Sequence, residues 1–151
     1  MAKKKSKSQR NQEKKGDTIF IKEVVESKII NTENVLNENY PIFCFKYLSD
    51  QSIKGCNNPK FYFDFLMRLK KLSELGWNEI RKSPKHSFGM ESIPKQKIKP
   101  ALPSCITPEV KDLHILRANG NNLPFVGIQI QNIFRVLFIE TNFGDIYNHQ
   151  P

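Results

Sequence analysis

Six side chains in the second half of the chain have the chemical types that cleave RNA without a metal ion. In that reaction a base removes the 2′-hydroxyl proton, an acid protonates the departing 5′-oxygen, and cations stabilise the phosphorane charge. Histidine and tyrosine can transfer the protons, and lysine and arginine can supply the positive charge. The six residues are Lys85, His86, Arg117, Arg135, Tyr147 and His149.

Most of these residues also have an ordinary structural interpretation. Arg117 and Arg135 lie on predicted strands and could be solvated charges on the sheet surface. Tyr147 could cover the sheet edge with its ring, and His149 lies near the C-terminus, where chains fray. His86 lies in a polar loop, so a solvated imidazole is the simpler interpretation there.

Positive charge is concentrated at the N-terminus. The chain has 24 Lys and Arg against 15 Asp and Glu, a net charge of +9. Residues 1–16 hold seven of the basic residues, including Lys3, Lys4 and Lys5, and one glutamate, so they carry +6. This segment is almost free of apolar residues, which predicts a disordered arm that attracts RNA phosphates. A solubilising tail is the alternative.

Several classes of protein are excluded by what the sequence lacks. No apolar run approaches the roughly 20 residues that cross a bilayer, and no apolar stretch follows the N-terminal lysines as in a secretory signal. The three cysteines have unrelated spacings and no C-x-x-C pair, which argues against disulfides or a cysteine zinc site. Phosphate-loop, G-x-S-x-G and H-E-x-x-H motifs are missing. We therefore expect a soluble, cytoplasmic protein without cofactor, metal or membrane partner.

The strongest secondary-structure signal is a helix that begins after Asn58. Asn58 is a favourable N-cap, and Pro59 suits the first helical position. Apolar residues recur at spacings of three and four and form one face, and Gly76 predicts the helix end. A second short helix is predicted over residues 77–82, because Pro84 disfavours helix at the residue before it. The apolar face comprises Phe61, Phe65, Leu69, Leu72 and Leu75.

Further segments have the composition of β-strands and are separated by turns. Residues 42–47 are rich in aromatic side chains, and residues 89–93 lie within a proline-rich stretch. The C-terminal third is predicted to be an antiparallel meander, because short Asn- and Gly-containing turns separate its strands. Its last strand is apolar on both faces, which indicates an interior position in the sheet. The meander strands are residues 113–118, 125–130 and 133–140.

These elements predict one α+β domain over residues 17–151, preceded by the disordered arm. Its sheet would be antiparallel with four or five strands, and two or three helices would cover one face. Residues 84–108 contain five prolines, which indicates an extended segment that either wraps the domain or carries function.

The C-terminal sequence NIFRVLFIETNFGDIYNH resembles the RelE/HigB superfamily of bacterial toxin ribonucleases. The matching features are a V-x-V-L-x-I-type strand, here residues 134–139, and a short tail with Tyr or His, here residues 145–149. The helix RLKKLSELGWNEI (residues 68–80) and the segment KHSFGMESI (residues 85–93) are similar to small RelE-like bacterial proteins. The resemblance covers about residues 42–149.

This resemblance implies a metal-independent endoribonuclease. The family's phosphate-stabilising basic residue corresponds to Arg117, and its C-terminal base or stacking residue corresponds to Tyr147, with His149 beside it. Lys85, His86 and Arg135 would add RNA contacts. The implied partners are RNA or the ribosome and an antitoxin-like protein. The alternative is a non-catalytic module that has the same fold and binds a protein or nucleic acid.

Overall fold

The computed structural model describes residues 39–119 and 123–150. The predicted arm 1–16, with Lys3, Lys4 and Lys5, lies outside the described residues, as do residues 17–38 of the predicted domain. The described elements are β1 (Ile42–Cys44), α1 (Gln51–Lys54), α2 (Pro59–Lys82), β2 (Glu91–Pro94), a 3₁₀ turn (Lys95–Lys97), β3 (Asp112–Arg117), β4 (Pro124–Ile130) and β5 (Ile133–Ile139).

The five strands form one sheet in the order β1-β5-β4-β3-β2. Strands β2 to β5 are an antiparallel meander, which confirms the predicted α+β class and the C-terminal topology. The prediction of a purely antiparallel sheet is wrong, because β1 pairs parallel to β5 with Ile42 opposite Ile133. A parallel neighbour requires a long crossover connection, and the chain from α1 to β4 supplies it.

Strand β1 is shorter than the predicted strand over residues 42–47. The chain turns after Cys44, and the Leu48 amide donates to the Phe45 carbonyl at 3.0 Å. The Ser49 amide then donates to the Leu137 carbonyl of β5 at 2.9 Å. The aromatic residues of the 42–47 segment therefore form a short edge strand and the turn that follows it.

Helix α2 begins as predicted, with the Asn58 side chain accepting a hydrogen bond from the Lys60 amide and Pro59 at the first position. Within the described residues α2 is the one long helix, and α1 is a second, short helix of four residues. The path of α2 breaks at Gly76, where φ is 78° and ψ is 161°, and then continues to Lys82. Glycine suits this position because a Cβ there would lie 3.3 Å from the Asn39 carbonyl oxygen.

The two faces of the sheet are covered by different parts of the chain. Helix α2 packs its predicted apolar face, including Phe65 and Leu72, against Phe125 and Phe134 of the sheet. On the opposite face the proline-rich segment and the C-terminal tail pack against β3 and β5. The side chains that they contribute include Ile98, Leu102, Ile106, Ile146 and Tyr147.

No helix within residues 39–119 and 123–150 has the length and apolar character to cross a lipid bilayer.

Candidate functional site

Arg117 occupies the last position of β3, on the sheet face that lies away from α2. Glu91 pairs with Ile115 across β2 and β3, so its side chain projects on the same face as Arg117. The Arg117 Nη2 atom lies 2.7 Å from the Glu91 Oε2 atom, and the Arg117 side chain is only 7% exposed. This is a nearly buried, charge-assisted pair and not the solvated strand charge of the simpler interpretation.

Lys85 extends this ion pair toward the surface. Its Nζ atom lies 3.3 Å from the Glu91 Oε1 atom, and its side chain is 61% exposed. The Lys85 carbonyl also accepts a hydrogen bond from the Arg117 Nε atom at 3.5 Å. Because one carboxylate faces two cations, the three side chains together carry net positive charge.

Tyr147 lies on the same face and links the ion pair to the C-terminal tail. The residue is 7% exposed, and burial is the main cause that raises the pKa of its phenol above the ordinary value. Arg117 hydrogen-bonds the phenol oxygen and opposes that rise in the pKa, while Glu140 and Glu91 add to it. Tyr147 is therefore a neutral phenol near pH 7, able to donate a proton.

His149 lies next to Tyr147 and bonds to a buried carboxylate. Its Nε2 atom is 2.5 Å from the Oε2 atom of Glu140, whose side chain is fully buried. The other oxygen, Oε1, accepts hydrogen bonds from the Gly144 and Ile146 amides at 2.9 and 3.0 Å. A carboxylate on Nε2 fixes the imidazole orientation and favours a proton on that nitrogen.

Two aromatic rings hold the imidazole of His149. The Phe143 ring stacks on it with centroids 3.9 Å apart and an interplanar angle of 23°. The Tyr147 ring is tilted against it, with centroids 4.1 Å apart. His149 is thus fixed by a carboxylate and by aromatic contacts, which differs from the frayed end expected of a chain terminus.

The structure therefore brings together four of the residues that the sequence singled out, namely Lys85, Arg117, Tyr147 and His149. With Glu91 and Glu140 they form one network of contacts. Arg135 is not among them. It pairs with Ile128, whereas Arg117 pairs with Pro124 on the other side of β4, so the two arginines are offset by about 13 Å along the strand direction. The Arg135 guanidinium lies 5.8 Å from the centre of the Tyr47 ring instead.

His86 is exposed in the turn that follows α2, one residue from Lys85. The exposed position agrees with the solvated interpretation of this residue, and it leaves His86 beside the network rather than within it.

Two acidic residues of the network were missed by the sequence analysis. Glu140 was assigned only as the end of the last strand, and Glu91 only as part of a short strand. A usable signal for Glu140 is its position directly after an apolar strand, where its side chain alternates onto a buried face. Nothing in the sequence pairs Glu91 with Arg117, which lies 26 residues away.

His114 has a different environment from His149. Its Nδ1 atom accepts a hydrogen bond from the Gln129 amide at 3.1 Å. Burial lowers its pKa below the ordinary value, with a smaller opposing effect of Asp112. His114 is therefore a neutral structural histidine between β3 and β4.

Among the described residues, no three His, Cys, Asp or Glu side chains are arranged to hold a metal ion. Comparison of the chain with protein-family models, with curated proteins and with solved structures found no match. The resemblance to RelE/HigB toxins accordingly stays a prediction that depends on the residues quoted for it.

Proposed function

We propose that this protein binds RNA and cleaves it without a metal ion, through Arg117, Tyr147 and His149. The observation that carries the proposal is the position of Tyr147, which contacts the Arg117 guanidinium and the His149 imidazole. A phosphate-binding cation, a neutral phenol and an imidazole held by a carboxylate thus lie side by side. These are the groups that 2′-hydroxyl attack on a phosphodiester requires.

In this proposal His149 is the general base. Glu140 holds the proton on Nε2, so proton transfer from the substrate falls to Nδ1, as in other carboxylate–histidine pairs. His149 takes the 2′-hydroxyl proton, and the 2′-oxygen attacks the phosphorus atom. Arg117, assisted by Lys85, stabilises the charge that develops on the phosphorane oxygens.

Tyr147 is the general acid of the same step. The bond from phosphorus to the 5′-oxygen breaks as Tyr147 donates its proton to that oxygen. The products are a 2′,3′-cyclic phosphate and a 5′-hydroxyl, and proton exchange with solvent restores both residues. The phenol is protonated at neutral pH, as an acid requires, and the nearby Arg117 opposes the rise in pKa that burial causes and that would weaken the acid.

The test is cleavage of single-stranded RNA in EDTA, with and without ribosomes, followed by analysis of the new 3′-end. A 2′,3′-cyclic phosphate is the expected product. Ribosomes are included because the family resemblance adds the ribosome, and also an antitoxin-like protein, as proposed partners. The proposal fails if no cleavage occurs in either condition.

A second candidate function is a binding module without catalysis. It is favoured by the 2.7 Å pair between Glu91 and Arg117, which compensates the charge that would hold a phosphate. The low exposure of the Arg117 and His149 side chains, 7% and 12%, has the same implication. In that case the network fixes the C-terminal tail on the sheet, and the protein binds RNA or a protein partner without altering it.

A further inference from the structure

Three large apolar side chains lie next to one another on the outer surface of α2. Phe63, Leu66 and Met67 are 63%, 64% and 52% exposed, although α2 buries its opposite face against the sheet. Positions three and four residues apart are neighbours on a helix surface, so the three side chains form one continuous patch. Single exposed apolar residues are ordinary on a protein surface, whereas a contiguous patch is characteristic of an interaction site.

The patch belongs to a row of residues that has the spacing of a contact between two helices. The successive intervals in this row are three, four, three and four residues, a period of 3.5 that keeps the side chains in one line along the helix. All members of the row are exposed. The row is apolar at its centre and charged at both ends. We call it the α2 row, and it comprises Lys60, Phe63, Met67, Lys70 and Glu74.

The charges along the α2 row are complementary to those of an antiparallel second copy. Lys60 and Glu74 each lie seven residues from Met67. Asp64 and Lys70 each lie three residues from it. With Met67 on a two-fold axis, Lys60 of one copy therefore faces Glu74 of the other. Asp64 likewise faces Lys70. A parallel arrangement would place each lysine opposite the same lysine, which is unfavourable.

A second copy at this position would not cover the candidate functional site. Helix α2 packs on one face of the sheet, and Tyr147 packs on the other. The charged residues also do not oppose the approach of a second copy, because each helix balances them internally. Lys60 pairs with Asp64 at 2.7 Å, and Lys70 pairs with Glu74.

We propose that the protein forms an antiparallel homodimer through the α2 row, with Met67 at the two-fold axis and Leu66 at the rim. Phe63 packs on the aliphatic part of Lys71 of the other copy, since both lie four residues from Met67. The same surface contributes from each copy, so the contact closes as a dimer. The apolar centre is small, and we expect a dissociation constant above about 1 µM. Unfolding at lower protein concentration then reports the monomer.

The first test is sedimentation equilibrium of the full chain at concentrations below and above this value. The mass should rise from that of the monomer to twice that mass. Phe63→Ala and Met67→Ala should each weaken the dimer about 10- to 30-fold, because each change occurs twice in a two-fold interface. A monomer at every concentration overturns the proposal.

Ile130→Ala is the control for these variants. Ile130 is 43% exposed, and it lies at the end of β4 next to the turn that leads to β5. This turn lies near the far part of α2, because the Asn132 carbonyl accepts a hydrogen bond from the Trp77 indole at 3.2 Å. Trp77 is ten residues, or about 15 Å, from Met67. Equal dissociation constants for Phe63→Ala and Ile130→Ala also overturn the proposal.

A second test determines the orientation of the two helices. Lys60→Cys and Glu74→Cys variants are prepared separately, mixed, and treated with a short cross-linker that joins two thiols. The antiparallel dimer predicts cross-linking mainly in the mixture, because the facing positions then belong to different variants. The wild-type chain measures the background from its native cysteines Cys44, Cys56 and Cys105. Cross-linking that is as strong within each single variant as in the mixture contradicts the antiparallel arrangement.

Discussion

The Nε2 atom of His149 and the Oε2 atom of Glu140 lie 2.5 Å apart, with the Glu140 side chain fully buried. The same carboxylate accepts hydrogen bonds from the Gly144 and Ile146 amides. Glu140 therefore stabilises the turn that follows β5, and it also fixes the imidazole of His149, which comes after that turn. One acidic side chain thus connects the stability of the tail to the geometry of the candidate site.

Glu140→Ala is expected to destabilise the protein. It leaves the Gly144 and Ile146 amides and the His149 imidazole without their acceptor, and each buried unsatisfied group costs about 1–3 kcal/mol. Urea unfolding measures the loss. Glu140→Gln keeps the volume and one carbonyl oxygen, so it should lose less stability than Glu140→Ala. Equal stability of the wild type and Glu140→Ala would contradict the role assigned to the carboxylate.

Arg117→Ala and Tyr147→Phe are expected to lower the rate of RNA cleavage. Tyr147→Phe removes only the hydroxyl, and loss of one acid–base group typically costs about 10²–10⁴-fold. Arg117→Ala removes a cation that would stabilise the phosphorane, and loss of one such group typically costs about 10²–10³-fold. Single-turnover assays in EDTA measure the rate, and circular dichroism checks the fold. Arg135→Ala is the control, because Arg135 lies beside Tyr47, outside the network. Cleavage at the wild-type rate by both site variants would remove these residues from the mechanism.

Leu69→Ala is expected to lower the free energy of unfolding by about 2–5 kcal/mol, because the side chain is buried between α2 and the sheet. Leu66→Ala is the matched control on the same helix. Leu66 is 64% exposed against 9% for Leu69, so its truncation should cost about 0.5 kcal/mol or less. Similar losses for the two variants would mean that the assigned face of α2 is wrong.

Stability is expected to fall as the pH is lowered through the range where free histidine titrates. The folded state lowers the pKa of His114 below its ordinary value of 6.5, so the unfolded state binds more protons in that range. Unfolding is then favoured between about pH 7 and pH 5. His114→Gln should flatten this part of the stability profile, measured by urea unfolding at several pH values.

The control for that profile is Leu66→Ala on the exposed face of α2. It should leave the slope unchanged, because it removes no titratable group. If the slope survives in His114→Gln, another group must be responsible for the pH dependence.

The sequence was sufficient where the signal is local. Asn58 caps α2 because its side chain reaches the Lys60 amide two residues away, and the apolar face of α2 follows the helical period. The turn at Gln131 and Asn132 follows from a short polar link between apolar strands, and Gln131 adopts a φ of 55°. In each case the interacting groups are close in the chain, so residue type and spacing specify them.

The candidate site was predictable only in part, because some of its contacts join residues that are far apart in the chain. Arg117, Tyr147 and His149 stood out because few residue types can move protons or hold phosphate. Their carboxylate partners did not, since a glutamate in a sequence has many possible partners. The register of β2 with β3 places Glu91 beside Arg117. The tail folds back on the sheet, and this brings His149 to Glu140.

Tertiary structure alone also decided how the strands and helices are combined. The parallel pairing of β1 with β5 joins residues about 90 positions apart, and the Ser52 hydroxyl accepts a hydrogen bond from the Ile139 amide, 87 residues away. Such contacts depend on the cost of closing long loops and on the packing of whole faces, which no short pattern encodes. Residue types determined the available chemistry, and long-range packing determined which side chains meet.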